Sequence, residues 1–107
     1  MKVKSVLSLA AALMLSSLAL AKMPFSNQIF GKMESTLDYC AQIDPPAGQK
    51  YQAKKKDLVK GVPEAEVTEA RESDEYKNAY KEMSEQLPTV PRDDVKQVCS
   101  SALHSNK

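Results

Sequence analysis

Pro91-Arg92-Asp93-Asp94-Val95-Lys96-Gln97-Val98-Cys99-Ser100-Ser101-Ala102-Leu103-His104 decides the fold of this chain. Val95, Val98, Cys99, Ala102 and Leu103 fall at i, i+3, i+4, i+7 and i+8, one apolar stripe on a helix. Pro91 suits the opening of that helix, and Asp93 and Asp94 in its first turn match the positive end of the dipole. The spacing predicts a helix over 92–104 with Cys99 on its apolar face. The only other cysteine, Cys40, takes the same kind of position in a helix predicted over 27–43. There Ser26 is the N-cap, and Phe25 packs on Phe30 as a hydrophobic staple. Ile29, Phe30, Met33, Leu37, Cys40 and Ala41 recur at three- and four-residue steps. Asp44-Pro45-Pro46 then ends the helix, because proline disfavours helical geometry in the residue before it.

The chain between these helices is also helical in pattern, and no stretch alternates as a half-buried strand would. A helix over 47–60 turns Tyr51, Leu58 and Val59 inward and ends on Gly61 as a left-handed cap. Pro63 opens the next, with Glu64 and Glu66 toward its positive end. Val67 and Ala70 form one weak apolar face; Tyr76, Ala79, Tyr80, Met83 and Leu87 form a stronger one out of phase with it. A break near Ser73, with Ser73 capping a further helix, reconciles the two. Leu87-Pro88-Thr89-Val90-Pro91 is a short rigid connector. The expected fold is all-α, a small four- to five-helix bundle closed by a Cys40–Cys99 disulfide between its first and last helices.

Ahead of the bundle, Met1-Lys2-Val3-Lys4 supplies two positive charges. Val6–Ala21 is an apolar run broken only by Ser8, Ser16 and Ser17, and Ala19-Leu20-Ala21 closes it with small residues. This is the layout of a secretory signal peptide cleaved after Ala21. The run of about 16 residues is short against the roughly 20 that span a bilayer. Lys22, not a cysteine, stands directly after the cleavage point, so lipid attachment there is not expected. The sequence therefore divides into a signal peptide, 1–21, and a single small helical domain, 22–107. The protein is expected to be exported, periplasmic or secreted, where an even cysteine count favours a disulfide. A loop of about 60 residues closed in this way is worth roughly 4 kcal/mol in the chain-entropy model.

Without residues 1–21 the chain holds 13 Lys and Arg against 14 Asp and Glu, a net charge near −1. Phosphate binding needs a basic excess that is missing here, so nucleic acid is not an expected partner. Apolar residues number 30 of 86, seven of them Ala, so the core is thin and a cross-link offsets its small size.

No catalytic constellation emerges. His104 is the only histidine and stands near the C-terminal end, where chains fray. A nucleophile–base pair needs a rigid histidine and a free nucleophile, and the cysteines are expected to be oxidised. One His with Met23, Met33 and Met83 does not make a zinc or copper site, and the acidic run Glu64–Glu75 lacks calcium-loop spacing. The expectation is no enzyme, no metal and no cofactor. That acidic run is expected to act through capping and local pairing with Arg71 and Lys77.

Binding is the remaining class. Arg71, Tyr76 and Tyr80 are residue types that anchor protein interfaces, although tyrosines at i and i+4 equally suit packing in a thin core. Lys54, Lys55 and Lys56, with Lys50 and Lys60, form either an anion-binding patch or an ordinary solvated face. The leading expectation is a non-enzymatic exported protein that binds another envelope or extracellular protein through Arg71, Tyr76 and Tyr80, with Lys54–Lys56 second.

In its layout of signal peptide, short helical domain and one disulfide between distant helices, the chain resembles small periplasmic acid-stress chaperones. No specific motif is shared and no residues are carried over. The resemblance implies an alternative, an acid- or stress-activated chaperone. A third expectation is peripheral contact with a membrane or envelope, through anionic lipid or polysaccharide held on the Lys54–Lys56 patch.

Overall fold

A computed structural model describes residues 23–104. The signal peptide expected over 1–21 lies outside them. Five α-helices run in order: α1 Asn27–Ile43, α2 Gly48–Leu58, α3 Glu64–Glu72, α4 Asp74–Gln86 and α5 Arg92–His104. Short 3-10 turns at Pro45–Ala47 and Leu87–Thr89 lead out of α1 and α4, each with a proline in its first two positions. The fold is all-helical, with no strand among the described residues, and the Cys40–Cys99 disulfide joins α1 to α5.

The local signals act as the side chains dictate. Ser26 accepts from the Ile29 amide, and the Phe25 and Phe30 rings stack with centroids 6.4 Å apart. Gly61 has φ +83°, the only positive φ among the described residues, where the chain turns out of α2. Ser73 is extended, its hydroxyl accepting from the Tyr76 amide and donating to the Ala70 carbonyl. One side chain thus satisfies an orphan group at the end of α3 and another at the start of α4. The second helix is shorter than 47–60, because Pro45-Pro46 favour a 3-10 turn before Gly48 and the chain leaves helical geometry after Leu58.

Helix α1 is the spine: it contacts each of the other four helices, most extensively α4. Two small cores share it. One gathers Leu37, Cys40, Tyr51, Val95 and Cys99 around the disulfide. The other gathers Phe30, Val67, Ala70 and Tyr76 between α1, α3 and α4. Close approach of α1 and α4 depends on small residues: a Cβ at Gly31 would lie 2.5 Å from the Tyr76 carbonyl oxygen, and Ser35 and Ala79 are buried. Two positions of the predicted stripes stay outside. Ile29 and Val98 are 51% and 52% exposed, because the apolar faces of α1 and α5 are wider than their neighbours cover.

Candidate binding site

Two carboxylates on α1 organise the space between α1, α3, α4 and α2. Glu34 lies on the apolar side of α1, one turn after Phe30, and is only 1% exposed. Arg71 meets it with two contacts, Nε to Oε1 at 2.9 Å and Nη2 to Oε2 at 2.5 Å. The Tyr76 hydroxyl donates to the same Oε1 at 2.5 Å. Arg71 stands in the last turn of α3 and Tyr76 in the first turn of α4, so the Ser73 break brings both to one carboxylate. The guanidinium carbon also sits 5.5 Å from the Phe30 ring centroid, a cation–π contact that takes up part of the desolvation.

One helical turn on, the pattern repeats. Asp38 accepts from the Tyr80 hydroxyl and from Lys55 Nζ of α2, the latter at 2.9 Å. Glu34 and Asp38 are i and i+4 on α1, and Tyr76 and Tyr80 are i and i+4 on α4, so carboxylate and phenol meet rung by rung. Phe30, Tyr76 and Tyr80 form a continuous row of rings, with centroids 5.3 and 5.9 Å apart.

The electrostatics follow from this burial. Tyr76 is pushed well above the ordinary tyrosine value of 10.0, first by desolvation and then by its hydrogen bond to Glu34. Tyr80 moves the same way, first by desolvation and then by its hydrogen bond to Asp38. The Arg71 pKa is raised chiefly by its hydrogen bond to Glu34, against the opposing effect of desolvation. Both phenols are therefore held as donors to carboxylates.

Arg71, expected to pair within its own acidic run, reaches across to α1 instead, because the buried Glu34 offers two acceptors in the geometry a guanidinium matches. Tyr76 is buried and Tyr80 half-buried, with both hydroxyls engaged inside the bundle.

The three neighbouring lysines of α2 part company. Lys55 and Lys56 join Arg71, Gln52 and Glu64 around a cleft between α2 and α3, of about 440 Å³, floored by Val59, Val62 and Val67. Lys54 faces elsewhere, onto a groove formed with α1 and α5. Arg71 is 42% exposed at the cleft wall, and Glu34 takes two of the five N–H donors that a guanidinium carries.

Comparison with protein-family models, with characterised proteins and with solved structures finds no match. The site therefore has to be read from its own chemistry. Among the described residues, no three His, Cys, Asp or Glu side chains converge as a metal ion would need, and no helix is long and apolar enough to cross a membrane. Glu34 and Asp38 escaped the sequence reading. Glu34 had a signal, a carboxylate set inside the apolar stripe between Phe30 and Leu37; Asp38 had none.

Proposed function

We propose that the chain is an exported, non-enzymatic binding protein that engages an acidic segment of another envelope or extracellular protein at the α2–α3 cleft. The observation that carries this reading is the convergence of Lys55, Lys56 and Arg71 on one cleft with an apolar floor. Two of these cations are fixed in advance, Arg71 by Glu34 and Lys55 by Asp38, which lowers the entropy lost on binding. Cations over apolar area are the combination that anchors interfaces. The disulfide is compatible with the oxidising compartment that export provides.

Cross-linking of the processed protein in its own envelope fraction, followed by mass spectrometry, tests the reading. The expected result is one stoichiometric partner, cross-linked next to the cleft, lost in Lys56→Glu and retained in Lys81→Glu on the outer face of α4. A partner held equally by a folded Lys56→Glu variant overturns it.

A specific feature favours a second reading, the acid-activated chaperone. Helices α2, α3 and α4 are fastened to α1 through Glu34, faced by Arg71 and Tyr76, and Asp38, faced by Lys55 and Tyr80. Parting of these contacts would expose the Phe30 cluster. Dye binding and protection of unfolded clients on acidification are the expected signs; a chain that stays closed excludes it.

A further inference from the structure

On the other side of α2 lies a groove of about 290 Å³, lined by Met33, Thr36 and Leu37 of α1, Leu58 of α2 and Ala102 of α5, with Lys32 and Lys54 at its edges. Its volume lies at the bottom of the range for ligand sites. That is space for one hydrocarbon chain. No acidic residue lines it. Among the described residues neither Lys32 nor Lys54 has a carboxylate within ion-pair distance, unlike Lys55 on the same helix.

The polar chemistry of the groove is one-sided. The Thr36 hydroxyl donates to the Lys32 carbonyl at 2.8 Å, inside its own helix. The remaining polar side-chain groups are two ammonium heads, which donate and cannot accept. An extended peptide would bring a row of amide N–H groups that need acceptors, and among the lining side chains only the Thr36 hydroxyl oxygen is a good one. An alkyl chain brings no donor at all, and a carboxylate is acceptor-only. Lysine stems can lie along such walls while their heads reach a charge at the mouth.

We infer that this groove binds the free form of a single-chain fatty carboxylate. The alkyl chain lies over Met33, Leu37, Leu58 and Ala102, and the carboxylate sits between Lys32 and Lys54. This site is separate from the α2–α3 cleft: Lys54 serves one, Lys55 and Lys56 the other, and either assignment can fail alone.

The test is titration of the processed, disulfide-bonded protein with dodecanoate below its micelle concentration, followed by calorimetry and by NMR. One dodecanoate per chain is expected, with intermolecular contacts from the alkyl chain to the Met33 and Ala102 methyl groups. Affinity falls about tenfold or more in Lys32→Gln/Lys54→Gln, the scale of a lost charge-assisted contact, and stays unchanged in Lys56→Glu. Dodecyltrimethylammonium, with the same chain and the opposite charge, binds far more weakly. Leu58→Gln gives a second variant that removes the apolar wall while keeping both lysines, and it too weakens binding. Equal binding of the cationic amphiphile overturns the inference. So does an unaffected lysine double variant, binding only to phosphatidylglycerol vesicles, or the absence of binding.

Discussion

Glu34 and Arg71, 37 positions apart, form a two-point ion pair in which the carboxylate is sealed from solvent and the guanidinium keeps an exposed side. Removing one member of such a pair leaves a buried charge without compensation, which costs about 3 kcal/mol or more, while replacing the whole group with apolar residues is often neutral. Arg71→Met is therefore expected to lower stability by about 3 kcal/mol in urea unfolding. The variant Glu34→Leu/Arg71→Met/Tyr76→Phe should recover most of that loss. A triple variant as unstable as the single one would show that packing, and not the unpaired carboxylate, sets the cost.

The contact between Gly31 and the Tyr76 carbonyl makes a second, sharper test. An added Cβ would lie 2.5 Å from a backbone oxygen, so α1 and α4 must move apart, and the Glu34 and Asp38 rungs lie between the same two helices. Gly31→Ala is expected to cost about 2 kcal/mol, the usual scale of overpacking. Gly48 is the control. It is helical, with φ −54° and ψ −41°, and nothing lies within 4 Å of an added Cβ. Gly48→Ala should stabilise by about 0.5–1 kcal/mol through helix propensity. Thermal melts of the two variants should therefore shift in opposite directions.

The hydroxyl of Ser35 is buried with no hydrogen-bond partner among the described residues. An unsatisfied buried polar group costs about 1–3 kcal/mol. Ser35→Ala, which keeps the small volume that the α1–α4 contact requires, should raise stability by about 1 kcal/mol. A loss of stability in that variant would mean that the hydroxyl is satisfied in solution.

Sequence periodicity revealed the helices because each boundary has a local cause. Ser26 and Ser73 cap through their own hydroxyls, and prolines sit in both 3-10 turns. The disulfide was legible because two cysteines allow one pairing, and both lie on apolar stripes. The site was legible only in part. Arg71, Tyr76, Tyr80 and the lysines stood out as residue types, but their partners are set by how α1 and α4 cross, which depends on Gly31, Ser35 and Ala79. Local spacing does not encode a contact 42 positions away. It therefore could not distinguish tyrosines that face solvent from tyrosines that hold Glu34 and Asp38. The lysine run was similarly opaque: consecutive helical positions point about 100° apart, so Lys54, Lys55 and Lys56 divide between a groove, an ion pair and a cleft.

The two phenols give the fold a dependence on alkaline pH. Tyr76 and Tyr80 both hold their protons more tightly in the folded chain than the ordinary value of 10.0, because of burial and donation to a carboxylate. Their contribution to stability is therefore complete below pH 10 and is lost as pH rises from there toward the folded values. Followed by phenolate absorbance, the native protein should keep these two tyrosines unionised at about pH 11, where an unfolded chain has titrated. In Tyr76→Phe/Tyr80→Phe the late-titrating absorbance should shrink to the share of Tyr51, which burial and the nearby Asp44 also push upward. An undiminished late phase would place the resistant phenols elsewhere.

The two cores share α1 but differ in their other helices, so the disulfide should protect them unequally. Cys40 and Cys99 belong to the cluster with Leu37, Tyr51 and Val95, while the cluster of Phe30, Val67, Ala70 and Tyr76 is held by α3, α4 and the Glu34 rung. The bridge spans 59 positions, and its loss in Cys40→Ala/Cys99→Ala is expected to cost roughly 4 kcal/mol. Among the described residues helix α5 packs on α1 and α2, and Val95 and Cys99 are its buried residues. Hydrogen exchange in the double variant should therefore show α5 amides losing protection first and most, with α4 amides beside Gly31 retaining more of theirs. Uniform loss across α4 and α5 would mean that the rungs on α1 couple the two clusters into one cooperative unit.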